Sequence, residues 1–141
     1  MKPAGRWFTN EDKDEHSVFS KDALPLLDFP KSRKGETGRH TFEFTGAARI
    51  QCDIHDWMRA DTLVVENPFF TLTESNGTFR IRDLPAGADY TLVGWEPNGN
   101  ETRVAVKGCS GETTVAVVVL DEGKPRKMRR KLGGVYPVYQ N

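Results

Sequence analysis

Turn signals recur along this chain about every eight to twelve residues, and the runs between them alternate apolar and polar residues with almost no helical periodicity. A chain punctuated this closely has no room for long helices and must bury its apolar faces by pairing short strands. The pattern predicts strands over residues 6–9, 17–20, 40–45, 48–52, 61–66, 69–73, 78–82, 89–95, 102–107 and 113–120. Phe42 and Phe44 share one face, with Thr41 and Glu43 opposite. Phe79 and Ile81 oppose Thr78, Arg80 and Arg82, and Val115, Val117 and Val119 repeat at period two. Asn76-Gly77 predicts a type I′ hairpin turn, which needs positive φ at both central residues. Pro85-Ala86-Gly87 and Pro97-Asn98-Gly99 mark two further turns. Residues 26–38 are polar, basic and broken by Pro and Gly, and read as a long loop with room for one helical turn. The expected fold class is all-β, a sandwich or barrel. It divides into two halves near Glu66-Asn67-Pro68, a connection too short for an independent linker. The sheets of the two halves are therefore expected to pack together or run on.

Composition narrows the function classes. Of 141 residues, 37% are hydrophobic and 28% charged, which fits a soluble globular chain rather than a disordered one. The longest apolar run, residues 115–120, is far short of a membrane span. Residues 1–7 lack the apolar stretch of a signal peptide, so the chain reads as one that is not exported, or whose start is processed or shortened. The formal net charge of zero argues against a dedicated nucleic-acid protein. The zero conceals an asymmetry: residues 121–141 hold six basic and two acidic residues, so the body is near −4 and the tail near +4. Such a tail can fold back on its body or reach a partner. It reads as a docking arm, with Arg126, Lys127, Arg129 and Arg130 steering and Tyr136 and Tyr139 as aromatic anchors.

The most informative segment is Cys52-Asp53-Ile54-His55-Asp56-Trp57-Met58. A thiolate, an imidazole and a thioether at C-x2-H-x2-M spacing are soft or borderline ligands suited to copper. A tight loop between two strands can turn all three to one point, which a straight strand cannot. A second imidazole must come from elsewhere. His16 stands at the mouth of a predicted strand, whereas His40 begins a strand behind a loop and lacks such a context. Other readings stay open. Cys52 can pair with Cys109 in a disulfide or be an inert buried thiol; His16 can belong to a solvated acidic run, and Met58 can be core filler. Trp57, between His55 and Met58, is expected at the surface, where aromatic residues serve docking. The chain shows no Ser-His-Asp order, no convincing carboxylate pair and no Gly-rich phosphate loop, so no enzymatic role is expected.

These residues carry a resemblance. The stretch Asn10-x-Asp12-x3-His16-x2-Phe19, followed by C-x2-H-x2-M, resembles the ligand set of the cupredoxins, and its short loop is similar to that of the amicyanins. The resemblance implies one type 1 copper held by His16, Cys52, His55 and Met58. Only fifteen residues precede His16, so the first strands of a complete cupredoxin are not expected in this half. Residues 73–92, with Gly77-Thr78-Phe79-Arg80-Ile81 and Leu84-Pro85-Ala86-Gly87, resemble the core of carboxypeptidase-regulatory-like (transthyretin-like) sandwich domains, a structural motif without chemistry of its own. Together they cover roughly residues 4–120. They imply a Greek-key β-sandwich architecture: a partial cupredoxin-like half (1–66) packed with a regulatory-like half (67–120), then the arm (121–141). The implied function is single-electron transfer between larger redox proteins, such as a cytochrome or oxidoreductase, in the bacterial periplasm or outside the cell. The other expectation is an accessory subunit of a redox or membrane-associated complex with an empty copper site, in which peripheral membrane contact is open.

Overall fold

The computed structural model describes residues 4–23, 25–121, 123, 124 and 131. The described residues form eight strands and no helix: β1 (Ala4–Thr9), β2 (Val18–Ser20), β3 (Leu27–Asp28), β4 (Thr37–Phe42), β5 (Gly46–Cys52), β6 (Arg59–Val64), β7 (Asp89–Gly94) and β8 (Thr102–Lys107). Every pairing is antiparallel. The chain is thus all-β. It divides into two compact units, the first ending at Glu66 and the second beginning at Asn67, and Lys131 belongs with the first.

The first unit holds two sheets, one of order β1-β4 and one of order β3-β2-β5-β6. Alternation in each strand sends one set of side chains to a shared core. Phe42 comes from β4, Leu27 from β3, Ala48 from β5 and Val64 from β6, with Ala23 from the β2–β3 connection. Phe8, Val18, Phe29 and Phe44 pack around them. Burying a side chain such as Phe42 or Leu27 stabilises by about 1.5–3 kcal/mol. Residues 26–38 are not the simple loop expected. They contain β3 and the start of β4, and Ser32 bridges to His16, because Leu27 and Phe29 supply apolar side chains that the core takes up. Gly38 is required where β4 passes Phe29: an added Cβ would lie 2.8 Å from the ring. The strand predicted over 40–45 ends at Phe42, since the backbone turns there into Gly46 at φ +132.

Across β5 and β6, Arg49 stands opposite Asp61. Its guanidinium makes a two-pronged contact with that carboxylate, Nε to Oδ1 at 2.7 Å and Nη2 to Oδ2 at 3.2 Å. The Arg49 side chain is only 4% exposed. This pair clamps the two strands that carry the Cys52–Met58 loop.

In the second unit β7 and β8 form a hairpin. Tyr90 donates its hydroxyl to the Pro85 carbonyl at 2.6 Å, tying the preceding turn to β7. The expected type I′ turn at Asn76-Gly77 is not formed. Gly77 has φ +82 but Asn76 does not share it. Instead the Gly77 N–H donates to Glu74 O at 2.9 Å and the Glu74 N–H donates to Thr78 O at 2.8 Å, a three-residue loop with glycine in the left-handed position. Residues 69–73, 78–82 and 113–120 form no strand ladder. Phe70 and Leu72 are exposed, so the first of these segments gains little burial from pairing. Residues 113–120 run beside β8 through hydroxyl contacts, Thr102 Oγ1 to Val119 O and Thr114 Oγ1 to Lys107 O, both 2.7 Å, in place of a backbone ladder.

Two expectations follow. Asp61→Asn removes the charge facing a buried guanidinium and should lower the unfolding free energy by about 3 kcal/mol in denaturant titrations; a loss no larger than that of a surface ion pair would contradict the clamp. His40, 8% exposed in β4, has an unpartnered buried Nε2. Burial pushes its imidazole below the ordinary range, against opposing pulls from Glu43 and the Pro25 backbone. The unfolded chain therefore takes up a proton near pH 6.5 that the folded chain resists, and this residue's contribution falls as pH drops through that value. His40→Leu should make urea midpoints fall less than wild type between pH 7.5 and pH 5.5; equal falls would refute it.

Candidate metal centre

Cys52 ends β5 and continues the inward alternation of Ala48 and Ile50, so its side chain is fully buried at the end of the sheet. β2 pairs with this end, with Val18 opposite Cys52. Two residues back from Val18 returns to the same face, and His16 stands there, buried. A bridge to Ser32 holds it extended, His16 N to Ser32 O at 3.1 Å and Ser32 N to His16 O at 2.7 Å. The third group comes from the loop between β5 and β6. The Met58 N–H donates to the His55 carbonyl at 3.1 Å, and the Cys52 N–H donates to the Met58 carbonyl at 3.3 Å. The resulting turn carries His55 back over Cys52.

The three side chains form a triangle of donor atoms. Nδ1 of His16 and Nδ1 of His55 are 3.1 Å apart, and Cys52 Sγ lies 3.7 Å from the first and 3.8 Å from the second. With metal–nitrogen bonds of about 2.0–2.1 Å and metal–sulfur of about 2.3 Å, these separations open angles of roughly 100° between the nitrogens and roughly 120° from each to sulfur. Those are the angles of donors around one ion, so the residues fit a metal. Met58 shares the turn that positions His55, and its side chain is 38% exposed. The candidate metal site is therefore His16, Cys52, His55 and Met58.

Electrostatics favour the ligating form of the thiol and hold a proton on His16 that an ion must displace. Burial pushes the Cys52 thiol up, but hydrogen bonds from the backbone at His55, Ser17 and Ile54 and from the His16 ring outweigh it and bring it down to about 7. Much of Cys52 is thus thiolate, the ligating form, near neutral pH. His16 is raised, chiefly by its contact with Cys52, with burial opposing and Asp12 adding to the rise. Asp12 is lowered, first by its hydrogen bond with His16, whose Nε2 lies 2.7 Å from Oδ2.

Of the three histidines, the structure brings His16 and His55 together and leaves His40 in β4, against Phe42. Cys52 and Cys109 are both free thiols, so they form no disulfide. Trp57 is 74% exposed, its ring 5.2 Å from that of His55. Arg126, Lys127, Arg129, Arg130, Tyr136 and Tyr139 lie outside the described residues. Lys131 is described: its Nζ lies 2.6 Å from Asp28 and its N–H points to Asp53 Oδ1 at 3.4 Å. Sequence reasoning did not assign Ser32, which sat in the presumed loop, or a separate role for Asp12. The one available signal for Asp12 was its i−4 spacing from His16. Compared with known proteins, the chain matches no family model, no curated protein and no solved structure.

An ion seated among the three donors must shield Cys52. One equivalent of Zn(II) should slow alkylation of Cys52 by about tenfold or more while leaving exposed Cys109 at its original rate, followed by mass spectrometry. Unchanged alkylation of Cys52 would mean that the triangle takes no such ion.

Proposed function

We propose that this chain is a mononuclear type 1 copper protein that passes single electrons between larger redox partners, held by His16, Cys52, His55 and Met58. The observation that carries the reading is the donor triangle of two imidazole nitrogens and one thiolate sulfur at 3.1, 3.7 and 3.8 Å. Two imidazoles and a thiolate in a near-trigonal arrangement, with a thioether on the same loop, are the donor set of blue copper. Zinc also accepts two imidazoles and a thiolate, and it is the soft thioether that favours copper. Copper bound there would supply one-electron exchange between its two oxidation states.

The chain's own groups suit that task. Complete burial of Cys52 keeps water from the sulfur. The β2–β5 pairing holds Cys52 and the Ser32 bridge holds His16, so neither donor needs to move when charge changes. His55 is half-buried, and beside it Trp57 reaches solvent, where a redox partner can approach. A cytochrome or oxidoreductase in the periplasm or outside the cell is the partner this reading expects. The second reading, an accessory subunit with an empty site, draws on the second unit. Val115, Val117 and Val119 there are 86%, 78% and 72% exposed, an apolar row that a larger assembly would cover.

Elemental analysis and a visible spectrum after Cu(II) addition test the proposal. The expected result is one copper per chain with an intense blue charge-transfer band, and loss of that band in Cys52→Ser. A colourless wild type, or a variant that stays blue, would overturn it; a colourless protein that is stable only with partners would favour the accessory subunit.

A further inference from the structure

We propose that Asp12 is a positioning residue: it fixes the ring and tautomer of His16 so that Nδ1 turns a lone pair to the donor triangle. The inference deepens the metal-centre reading and rests on it. An ionised carboxylate can only accept hydrogen bonds, and Asp is ionised at neutral pH by its ordinary value. In the neutral ring two acceptors compete for one hydrogen, Asp12 Oδ2 at 2.7 Å from Nε2 and Cys52 Sγ at 3.7 Å from Nδ1, and the much shorter contact to oxygen places it on Nε2. A neutral imidazole has one N–H and one lone pair, so the lone pair falls on Nδ1. Nδ1 is the atom that faces Cys52 Sγ and His55 Nδ1. In the opposite tautomer the Nδ1 hydrogen would point into the triangle and bond to the sulfur or the second imidazole, competing with any ion.

Asp12 is itself held in place. Its Oδ1 accepts the Asp14 N–H at 2.8 Å, so one oxygen closes its own turn while the other meets His16. Its N–H donates to Asn10 Oδ1 at 3.0 Å. Asn10 is buried, and its Nδ2 donates to Asp14 O at 2.7 Å and Ser32 O at 2.9 Å. Ser32 is the residue that bridges the His16 backbone. One buried amide thus ties together the two supports of His16, the carboxylate on its ring and the Ser32 bridge beside its backbone. Outer partners of this kind orient metal-binding histidines and set their tautomer.

The test has one arm without metal. A long-range 1H–15N spectrum of metal-free protein, at alkaline pH where imidazoles are neutral, should show His16 as the Nε2–H tautomer. Asp12→Ala should show a mixture of tautomers, and its Cu(II) affinity, measured by chelator competition, should fall about 10–100-fold. Asp12→Asn, which keeps an accepting oxygen, should recover most of the tautomer. Asp12→Ser can still close the local turn but cannot reach His16, and it replaces Asp12→Ala if that variant does not fold. A single Nε2–H tautomer retained in the Ala or Ser variant would overturn the proposal. If wild type takes up no copper, the copper reading fails, while the metal-free spectra still decide the role of Asp12.

Discussion

The pairing of β2 with β5 is the constraint on which the rest of the site depends. It sets Val18 opposite Cys52 and Phe19 opposite Gln51, and so brings together residues more than thirty positions apart in the chain. Closing that long connection costs chain entropy, which burial of Phe19, Leu27, Phe42 and Ala48 offsets. Because side chains alternate with a period of two, a register slip by one residue would turn His16 away from Cys52 and put Ser17 in its place. The core that fixes the register therefore also fixes the metal-binding geometry.

The same strands hold a group of polar atoms that the core alone would not favour. Two ring nitrogens and a sulfur face one another at 3.1–3.8 Å, at a place where Cys52 and His16 are buried. Burying polar groups costs free energy unless they are hydrogen-bonded, and here they contact one another, with Asp12 on the far side of the His16 ring. The fold tolerates them because the surrounding backbone is well satisfied: Asp53 N to Ser17 O, His16 with Ser32, and Cys52 N to Met58 O. An ion placed among the donors would exchange these contacts for ligation, so binding and folding free energy are coupled.

The all-β class was legible because alternation and turn residues agree over most of the chain, as in 48–52, where Ala48, Ile50 and Cys52 face inward. The loop half of the site was legible too, since C-x2-H-x2-M states its own geometry once the strand ends are known. What could not be read was long-range. Ser32 bridges His16 only because β2 and β3 pair, and no local signal in the basic 26–38 segment announces that. In the second unit, local alternation misled. Val115, Val117 and Val119 have the period of a strand, but their segment is held by threonine hydroxyls, not by a ladder. A strand is defined by its partner, and a single sequence does not show whether one is present. The Asn76-Gly77 turn failed for a related reason: one dipeptide serves both two-residue and three-residue loops, and Ser75 joins the second kind here.

The four candidate donors divide by what holds them. Cys52 ends β5 and His16 lies two residues before β2, bridged to Ser32, so their separation is set by the β2–β5 pairing and that bridge. His55 and Met58 belong to one turn, which is closed by backbone bonds from Met58 to His55 and from Cys52 to Met58 and opens toward solvent through Trp57. A site built this way has a rigid inner half and an adjustable outer half. Changes in the loop sequence can shift the outer donors without disturbing the register of β2 on β5, whereas changes in the strands displace the inner donors and the core together. Properties of the metal centre that depend on the outer donors can therefore vary independently of the fold, while the existence of the centre cannot.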